Sequence, residues 1–370
     1  MTSPQGPLII VDGSVDVTGA LISAAAEARM LSDRISTILV LPKGHRVPAE
    51  RTADFSDVRT ITIVPLRKTL ASLIGYLPGL VIGSIQLRRL ICATNCERVQ
   101  FNDFYLPHGS LLRLAGFRGL ILTFVRIDTR RFGIAGRLWL AGARRSSTDI
   151  VAVSRFIQQS LRPRTSSQLV YGETNVDPFL RSRRDLTRPT FLYVGNYIRG
   201  KGQEHAIAAF DRIAKFHPSA RLRFVGGDMG LAKNIQFKAE LQQLAKPLAA
   251  ANRIEFFGPA NDLRDNYATA YAALNFSESE SFSRTCLEAS AAGLAVIATR
   301  CGGPEEIIEH GQTGYLVERG DVEAMAERMA WLLNHPAEAK ALGVAGRSLI
   351  QHRFSRRKAT QAFVELFKLD

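Results

Sequence analysis

The chain alternates. Short β-branched or apolar runs bounded by turn residues, "PLIIVDG" (7–13), "STILVLP" (36–42), "TITIVP" (60–65), "RVQFND" (98–103), "GLILTFV" (119–125) and "DIVAVS" (149–154), are separated for the most part by longer stretches with helical spacing, such as Ala20–Leu31. Strand-helix alternation of this kind is the pattern of a parallel sheet covered by helices on both faces. The rhythm breaks at "RSRRDLTRPT" (181–190), a basic stretch without apolar periodicity, and then restarts with "TFLYVGN" (190–196), "ARLRFVGG" (220–227), "RIEFFG" (253–258), "AALNFS" (272–277), "AVIATR" (295–300) and "GYLV" (314–317). With 370 residues the chain also exceeds the ~250–300 at which single cores stop growing. The expected fold class is therefore α/β, two doubly wound domains facing across a cleft, with 1–184 as the first domain and 185–352 as the second. The remainder, 353–370, carries Ala359, Phe363, Leu366 and Phe367 near helical spacing and is expected to form a helix packed on the body, back against the first domain. In such sheets ligands bind beyond the carboxyl ends of the strands.

Charge is distributed unevenly. Of the formal net +14, residues 1–184 hold +12, from 25 Lys and Arg against 13 Asp and Glu. A one-sided field of this sign draws a molecule toward a polyanion, either an anionic membrane surface or a nucleic acid. "LASLIGYLPGLVIGSI" (70–85) has no charge and is bracketed by Arg67 and Lys68 on one side and Arg88 and Arg89 on the other. It is shorter than the ~20 residues that span a bilayer and is interrupted by Pro78. Two readings stay open: an interfacial segment with basic flanks, or two ordinary helices covering a sheet. Four cysteines without paired CxxC spacing, and an N-terminus lacking the basic and apolar regions of a secretion signal, point to a reducing, cytosolic setting.

The chemistry concentrates in "SESESFSRTCLEASAAGLAVIATRCGGPEE" (277–306). A strand ends at 277 and a helix begins near Arg284, so the turn presents free backbone N–H groups and the positive end of a helix dipole. Glu280 falls in the loop and Glu288 about one turn into the helix. Carboxylates are poor phosphate ligands; their natural partners are sugar or ribose hydroxyls. The amides of Phe282, Ser283 and Arg284 suit the phosphate, so one turn offers groups for both halves of a sugar phosphate. The competing reading makes Glu280 a helix cap and Glu288 part of a solvated face.

Glu280 and Glu288 in E-x7-E spacing, followed by helix, strand and Gly-Gly-Pro-Glu through Val317, resemble the signature of retaining nucleotide-sugar glycosyltransferases of family 4. The likeness continues through 195–228, 256–280 and 354–367, and is thinner in the first half, where "VDVTGALISAAAEARML" (15–31), "DIVAVS" and "NVDPF" (175–179) carry it. It implies the GT-B fold, two Rossmann-like domains, the first for acceptor and the second for donor. It makes Glu288 the ribose ligand and Glu280 a ligand of donor-sugar hydroxyls. In the family's phosphate loop, here Gly195-Asn196-Tyr197-Ile198-Arg199-Gly200-Lys201-Gly202, Lys201 matches, while Asn196 stands where an arginine is usual; Arg199 or Arg284 could supply that charge. Gly19 resembles the family's loop glycine near phosphate or acceptor, Arg126 and Asp128 occupy the region where many members have a histidine, and His108 is an alternative cleft residue. The implied reaction is glycosyl transfer with retention, Glu280 and Lys201 in the catalytic centre, the leaving phosphate acting as base, and no metal or other cofactor beside the nucleoside diphosphate sugar.

Other classes fit less. No strand is followed by G-x-G-x-x-G with an acidic residue about twenty positions on, as a dinucleotide-dependent oxidoreductase requires. A nucleic-acid binder would explain the charge, but the basic half lacks interleaved aromatics or a recognised module. A catalytically weak sugar-nucleotide-binding protein would keep the same second domain. The expected partners are a nucleotide sugar, a glycan or lipid-linked acceptor of cell-surface polysaccharide or lipopolysaccharide synthesis, and an anionic membrane surface, with no nucleic acid; the expected location is the cytoplasm, peripheral on the inner face of the cell membrane.

Overall fold

The computed structural model describes residues 6–64, 70–161, 165–172, 184–260 and 262–369. Arg67, Lys68, the "NVDPF" motif (175–179) and the start of the basic linker (181–183) lie outside them. The chain forms two compact units, Met1–Glu173 with Arg356–Asp370, and Thr174–Ser355.

The first unit contains β1 (Leu8–Val11), β2 (Thr37–Pro42), β3 (Asp57–Ile61), β4 (Arg98–Phe101), β5 (Leu120–Val125), β6 (Asp149–Ala152) and β7 (Gln168–Leu169). They pair in parallel in the order β3-β2-β1-β4-β5-β6-β7. Helices α1 (Gly19–Leu31), α2 (Leu70–Ala93), α3 (His108–Leu114), α4 (Gly133–Ser146) and α5 (Arg155–Leu161) supply the crossovers. Every residue of β1 and β2 is buried, which is why these strands read as continuous apolar runs rather than alternating ones. The run at 60–65 is displaced: β3 starts at Asp57, because its register is set by β2, Ile38 opposite Asp57 and Pro42 opposite Ile61. As an edge strand β3 leaves Arg59 and Thr60 exposed, and the two-residue edge strand β7 is too short for any periodicity to reveal.

The 70–85 segment does not form two helices. It belongs to one helix of 24 residues, α2, that runs through Pro78. Proline deprives the carbonyl four residues back of its helical donor; here that residue is Ile74, 68% exposed, where water can serve the carbonyl. The helix approaches the sheet on glycines: a Cβ at Gly83 would stand 2.2 Å from the Thr62 carbonyl oxygen, and one at Gly79 would stand 2.4 Å from Val64 Cγ2.

The second unit repeats the plan. Its strands are β8 (Thr190–Val194), β9 (Arg221–Val225), β10 (Ile254–Phe257), β11 (Ala272–Asn275), β12 (Ala295–Thr299) and β13 (Gly314–Val317). They are all parallel, in the order β10-β9-β8-β11-β12-β13. Around them lie α6 (Gln203–Ala214), α7 (Ala232–Leu244), α8 (Lys246–Ala250), α9 (Arg264–Thr269), α10 (Arg284–Ala291), α11 (Pro304–Ile307), α12 (Val322–Asn334) and α13 (Pro336–Arg353). The last helix, α14 (Arg356–Phe367), returns to the first unit: Phe363 stacks on Phe124 with ring centroids 6.1 Å apart, and Arg98 Nε donates to the Phe367 carbonyl at 2.8 Å. In each unit the strand order reverses once, between β1 and β4 and between β8 and β11, and these switch points are where ligands bind in open parallel sheets.

Replacing Gly83 with alanine sets a helix-propensity gain of ~1 kcal/mol against backbone contact at 2.2 Å. The expected outcome is net destabilisation of the first unit by about 1–3 kcal/mol, read by denaturant unfolding; a stabilised variant would contradict the close approach.

Candidate functional site

At the switch point of the second unit, two loops leave neighbouring strands: 195–202 after β8 and 276–283 after β11. They are fastened together. Glu278 N–H donates to the Gly200 carbonyl at 2.8 Å, and the buried Tyr193 hydroxyl donates to the Lys201 carbonyl while accepting the Phe276 N–H at 2.8 Å. Gly202 has φ +76° and a Cβ there would lie 2.0 Å from the Phe276 oxygen, so only glycine permits this approach. The join delivers Lys201 Nζ to Glu280 Oε1 at 2.7 Å, with the Ser277 hydroxyl donating to the same oxygen at 2.8 Å. The Glu280 side chain is 14% exposed and that of Lys201 33%.

A third loop, after β12, holds the backbone of Glu280. Its N–H donates to the Cys301 carbonyl at 3.1 Å and its carbonyl accepts from Gly303 N–H at 2.7 Å. The Glu305 carboxylate ties off the Cys301 and Gly302 amides at 3.2 and 2.9 Å, and a Cβ on Gly303 would meet the Phe282 backbone at 2.4 Å. "CGGPEE" thus acts as a strap under Glu280. The Phe282 ring packs edge-on against Phe354, centroids 5.5 Å apart.

Helix α10 is capped by Ser283, which takes φ +64°, a conformation costly for a non-glycine residue and found where the surroundings over-determine it. Its hydroxyl accepts from Cys286 N–H at 3.4 Å and from Asn275 Nδ2 at 3.1 Å. The helix is short and rich in Ala and Ser because Ala289, Ser290 and Ala291 are buried against the unit's interior. Glu288 stands on its outer side, Oε1 bonded to Arg284 at 3.0 Å and Oε2 to the Tyr267 hydroxyl at 3.1 Å. Burial first, and then the Glu288 charge, raise the Tyr267 pKa well above its ordinary value, so this hydroxyl stays a donor. Burial also pushes the Cys301 thiol up to about 12, and that of Cys286 higher still, so neither thiol near Glu280 acts as a thiolate nucleophile at neutral pH.

The other sequence-derived residues are placed differently. Asn196 turns its Oδ1 to the Gly227 N–H at 3.2 Å, and a Cβ on Gly226 would meet the Gly195 oxygen at 2.0 Å, so Gly195 and Asn196 form the seam between the β8 and β9 loops. Arg199 is bound to α7, ion-paired with Glu240 and stacked 4.8 Å over the Phe237 ring. In the first unit, Gly19 opens α1 just after the Thr18 cap, and a Cβ there would touch nothing within 4 Å. Arg126 is a buried structural cation: its side chain, 8% exposed, pairs with Glu27 at 2.5 Å and donates to Asn102 Oδ1 at 2.8 Å. Asn102 in turn bonds Asp12, and Gln100 bonds Glu27 at 2.7 Å, so a polar network fills the β1/β4 switch point. Asp103 adjoins it, and its pKa is pushed up to about 8 by burial. His108 is buried 3% exposed between α2 and α3, with burial lowering its pKa to about 4. Asp128 caps a turn, accepting from Arg130 N–H at 3.0 Å. The sequence pattern carries no signal for Tyr193, Tyr267, Asn275 and Ser277: nothing distinguishes two of them from core aromatics or the other two from ordinary polar residues at a strand end.

Residues 179–349 match the family model described as Glycosyl transferases group 1. N-acetyl-alpha-D-glucosaminyl L-malate synthase of Bacillus anthracis is 27% identical over 236 residues, 60% of this chain and 59% of that protein. A GDP-mannose-dependent alpha-(1-6)-phosphatidylinositol monomannoside mannosyltransferase of Mycolicibacterium smegmatis is 32% identical over 43% of this chain and 42% of its own length. The chain thus spans less than two thirds of these curated relatives. Among solved structures, Anabaena HepE in complex with UDP-glucose superposes with a TM-score of 0.82 at 17% identity, covering 98% of this chain and 100% of the other. Sucrose-phosphate synthase from Thermosynechococcus elongatus superposes at 0.83 and 20% identity, covering 98% of each chain. These likenesses show the fold, the α/β architecture of GT-B glycosyltransferases.

Tyr193→Phe leaves the Phe276 amide and Lys201 carbonyl without their buried partner and is expected to cost about 1–3 kcal/mol of stability, read by denaturant unfolding. Arg126→Ala strands Glu27 and is expected to cost about 3–5 kcal/mol. Asp103 holds its proton in the folded chain from the ordinary carboxylate range up to about 8, whereas the unfolded chain has lost it, so stability contributed by Asp103 is complete at acid pH and falls as pH rises toward 8. Asp103→Asn is expected to flatten the decline in stability measured between about pH 5 and 8; an unchanged slope would refute the assignment.

Proposed function

We propose that this chain is a retaining glycosyltransferase that moves a sugar from a nucleoside diphosphate sugar to a glycan or lipid-linked acceptor. The observation that carries the proposal is the Lys201–Glu280 pair at 2.7 Å, set at the β8/β11 switch point beside the amino end of α10. A carboxylate has about four lone-pair positions, so Glu280, with Lys201 and Ser277 on Oε1, keeps Oε2 for donor-sugar hydroxyls. Glu288, held by Tyr267 and Arg284, grips the ribose hydroxyls. Lys201 exchanges part of its pairing with Glu280 for the diphosphate, assisted by Arg284 and the amides of Phe282, Ser283 and Arg284. As the glycosidic bond to phosphate breaks, charge grows on the leaving oxygen, and that cation and those amides stabilise it. The same phosphate oxygen takes the proton of the acceptor hydroxyl arriving on the same face, which gives retention without a protein nucleophile or a metal.

For the acceptor, the excess of +12 in residues 1–184 supports a lipid-linked intermediate of cell-surface polysaccharide or lipopolysaccharide synthesis, reached from the inner face of the membrane. The mycobacterial relative's name, with its phosphatidylinositol acceptor, supports the same direction. The complex of HepE with UDP-glucose supports a nucleotide sugar as donor.

A thermal-shift screen of uridine, guanosine and adenosine diphosphate sugars, followed by calorimetry with the best of them, tests the reading. Glu288→Gln is expected to weaken donor binding by about tenfold or more, as loss of a hydrogen bond to a charged group does. Lys201→Ala is expected to lower kcat/KM by about 100–1,000-fold, with Glu280→Ala also lowering turnover. No heat with any donor, or variants indistinguishable from the parent, would sink the proposal.

A further inference from the structure

Between residues 74 and 85, helix α2 carries its branched apolar side chains outward. Its inward positions hold Gly79, Gly83, Ser84, Leu87 and Ile91, while its outward positions hold Ile74, Leu77, Pro78, Val81, Ile82 and Ile85. The five aliphatic residues of that outer face are 48–68% exposed. Positions 74, 77, 81 and 85 form a single stripe at helical spacing. Rotating the helix to hide the stripe would drive branched side chains into Thr62 and Val64, which even a Cβ at Gly83 or Gly79 would strike.

The neighbouring helices extend the face. Trp139 Nε1 donates to the Tyr76 hydroxyl at 3.3 Å, tying α4 to α2; on α4, Ile134 is 75% and Leu138 68% exposed, and Leu114 of α3 is 84% exposed. With Phe132, these make up all nine exposed large hydrophobics of the first unit among the described residues. Scattered exposed hydrophobics are ordinary, but a cluster marks an interaction surface.

The charge around the cluster is predominantly positive, and its cations are all of one residue type. Residues 70–146 contain eleven arginines, no lysine, and three acidic residues, Glu97, Asp103 and Asp128. Asp103 is buried and Asp128 is paired with Arg130. Arg137, Arg144 and Arg145 on α4 are exposed and form no ion pair among the described residues. Guanidinium groups match phosphate oxygens in a two-pronged fit, and an apolar stripe settles at the boundary of headgroups and acyl chains. A nucleic acid would use the arginines and leave the stripe in water. The stripe is about 17 Å long, and among the described residues no helix is long and apolar enough to cross a membrane, so the fitting geometry is flat contact.

We propose that the α2–α3–α4 face of the first unit docks on an anionic phospholipid bilayer. The proposal deepens, and rests on, the reading of a lipid-linked acceptor, since docking holds the chain where such acceptors reside. The test is flotation of the full chain with vesicles of phosphatidylglycerol in phosphatidylcholine, compared with phosphatidylcholine alone. Parent protein is expected to float with the anionic vesicles at low salt and to be released by high salt. A triple variant, Arg137→Gln, Arg144→Gln and Arg145→Gln, is expected to lose on the order of 100-fold in affinity. A second, Leu77→Gln, Val81→Gln and Ile85→Gln, is expected to lose on the order of tenfold or more. Both sets are on the surface, and donor calorimetry without vesicles is expected to be unchanged in both. No flotation at low salt, equal binding to neutral vesicles, or a dimer that the second variant dissociates while flotation persists would each overturn the proposal. Silent donor calorimetry with normal flotation would instead sink the transfer reading and leave the docking result standing, so the two failures are distinguishable.

Discussion

Everything at the candidate site depends on one fastening, the join between the loops that leave β8 and β11. Parallel strands deliver chain ends side by side but do not by themselves fix the loops beyond them. Here Tyr193, rooted in the core, reaches up and bonds both loops at once, through the Lys201 carbonyl and the Phe276 amide. The glycine at 202 lets the two backbones come close enough for Glu278 to bond Gly200. Only then do a lysine and a glutamate 79 positions apart meet. Catalytic geometry must be held within fractions of an ångström, and hydrogen bonds from buried, rotamer-locked groups are the means of doing so.

The corresponding place in the first unit is built on the opposite principle. The sheet order is the same through its first six strands, yet the β1/β4 switch point is filled by Asp12, Glu27, Gln100, Asn102 and Arg126 bonded to one another. A buried ion pair adds little net stability but makes loss of either partner expensive. This network fixes the start of α1 relative to β4 and β5, with Asn102 also donating to the Ala20 carbonyl at 3.1 Å. An arginine that a family resemblance would place toward a ligand is here satisfied internally. What this unit presents outward is instead its apolar and arginine-rich helical face.

How far the candidate site can be read from sequence depends on the range of the interactions involved. Glu280, Glu288, Ser283 and the strand-to-helix turn are legible because they are local: strand end, loop and helix start follow within a dozen residues. Lys201 between two glycines is legible as a loop. Tyr267 and Tyr193 are not, since an aromatic in a buried strand or helix looks the same whether its hydroxyl orients a carboxylate or merely finds a carbonyl. Nor could charge alone decide the fates of Arg199, bound by Glu240 and Phe237 on α7, and Arg126, bound by Glu27. The two glutamates are 41 and 99 positions away from their arginines.

By itself the sequence determined the class of fold, two rounds of parallel α/β, because apolar runs of strand length separated by helical stretches can bury themselves in few other ways. It also determined the local frame of the 280–288 turn and the sign of the first unit's field. Only the tertiary structure decided that 70–93 is a single helix with Ile74, Leu77, Val81, Ile82 and Ile85 outward, that α14 returns to the first unit, and which distant partners hold Arg126 and Arg199. The physical reason is the same in each case: periodicity encodes which residues a segment can bury, whereas close backbone approach and ion pairing between distant segments are settled only when the sheets bring them together.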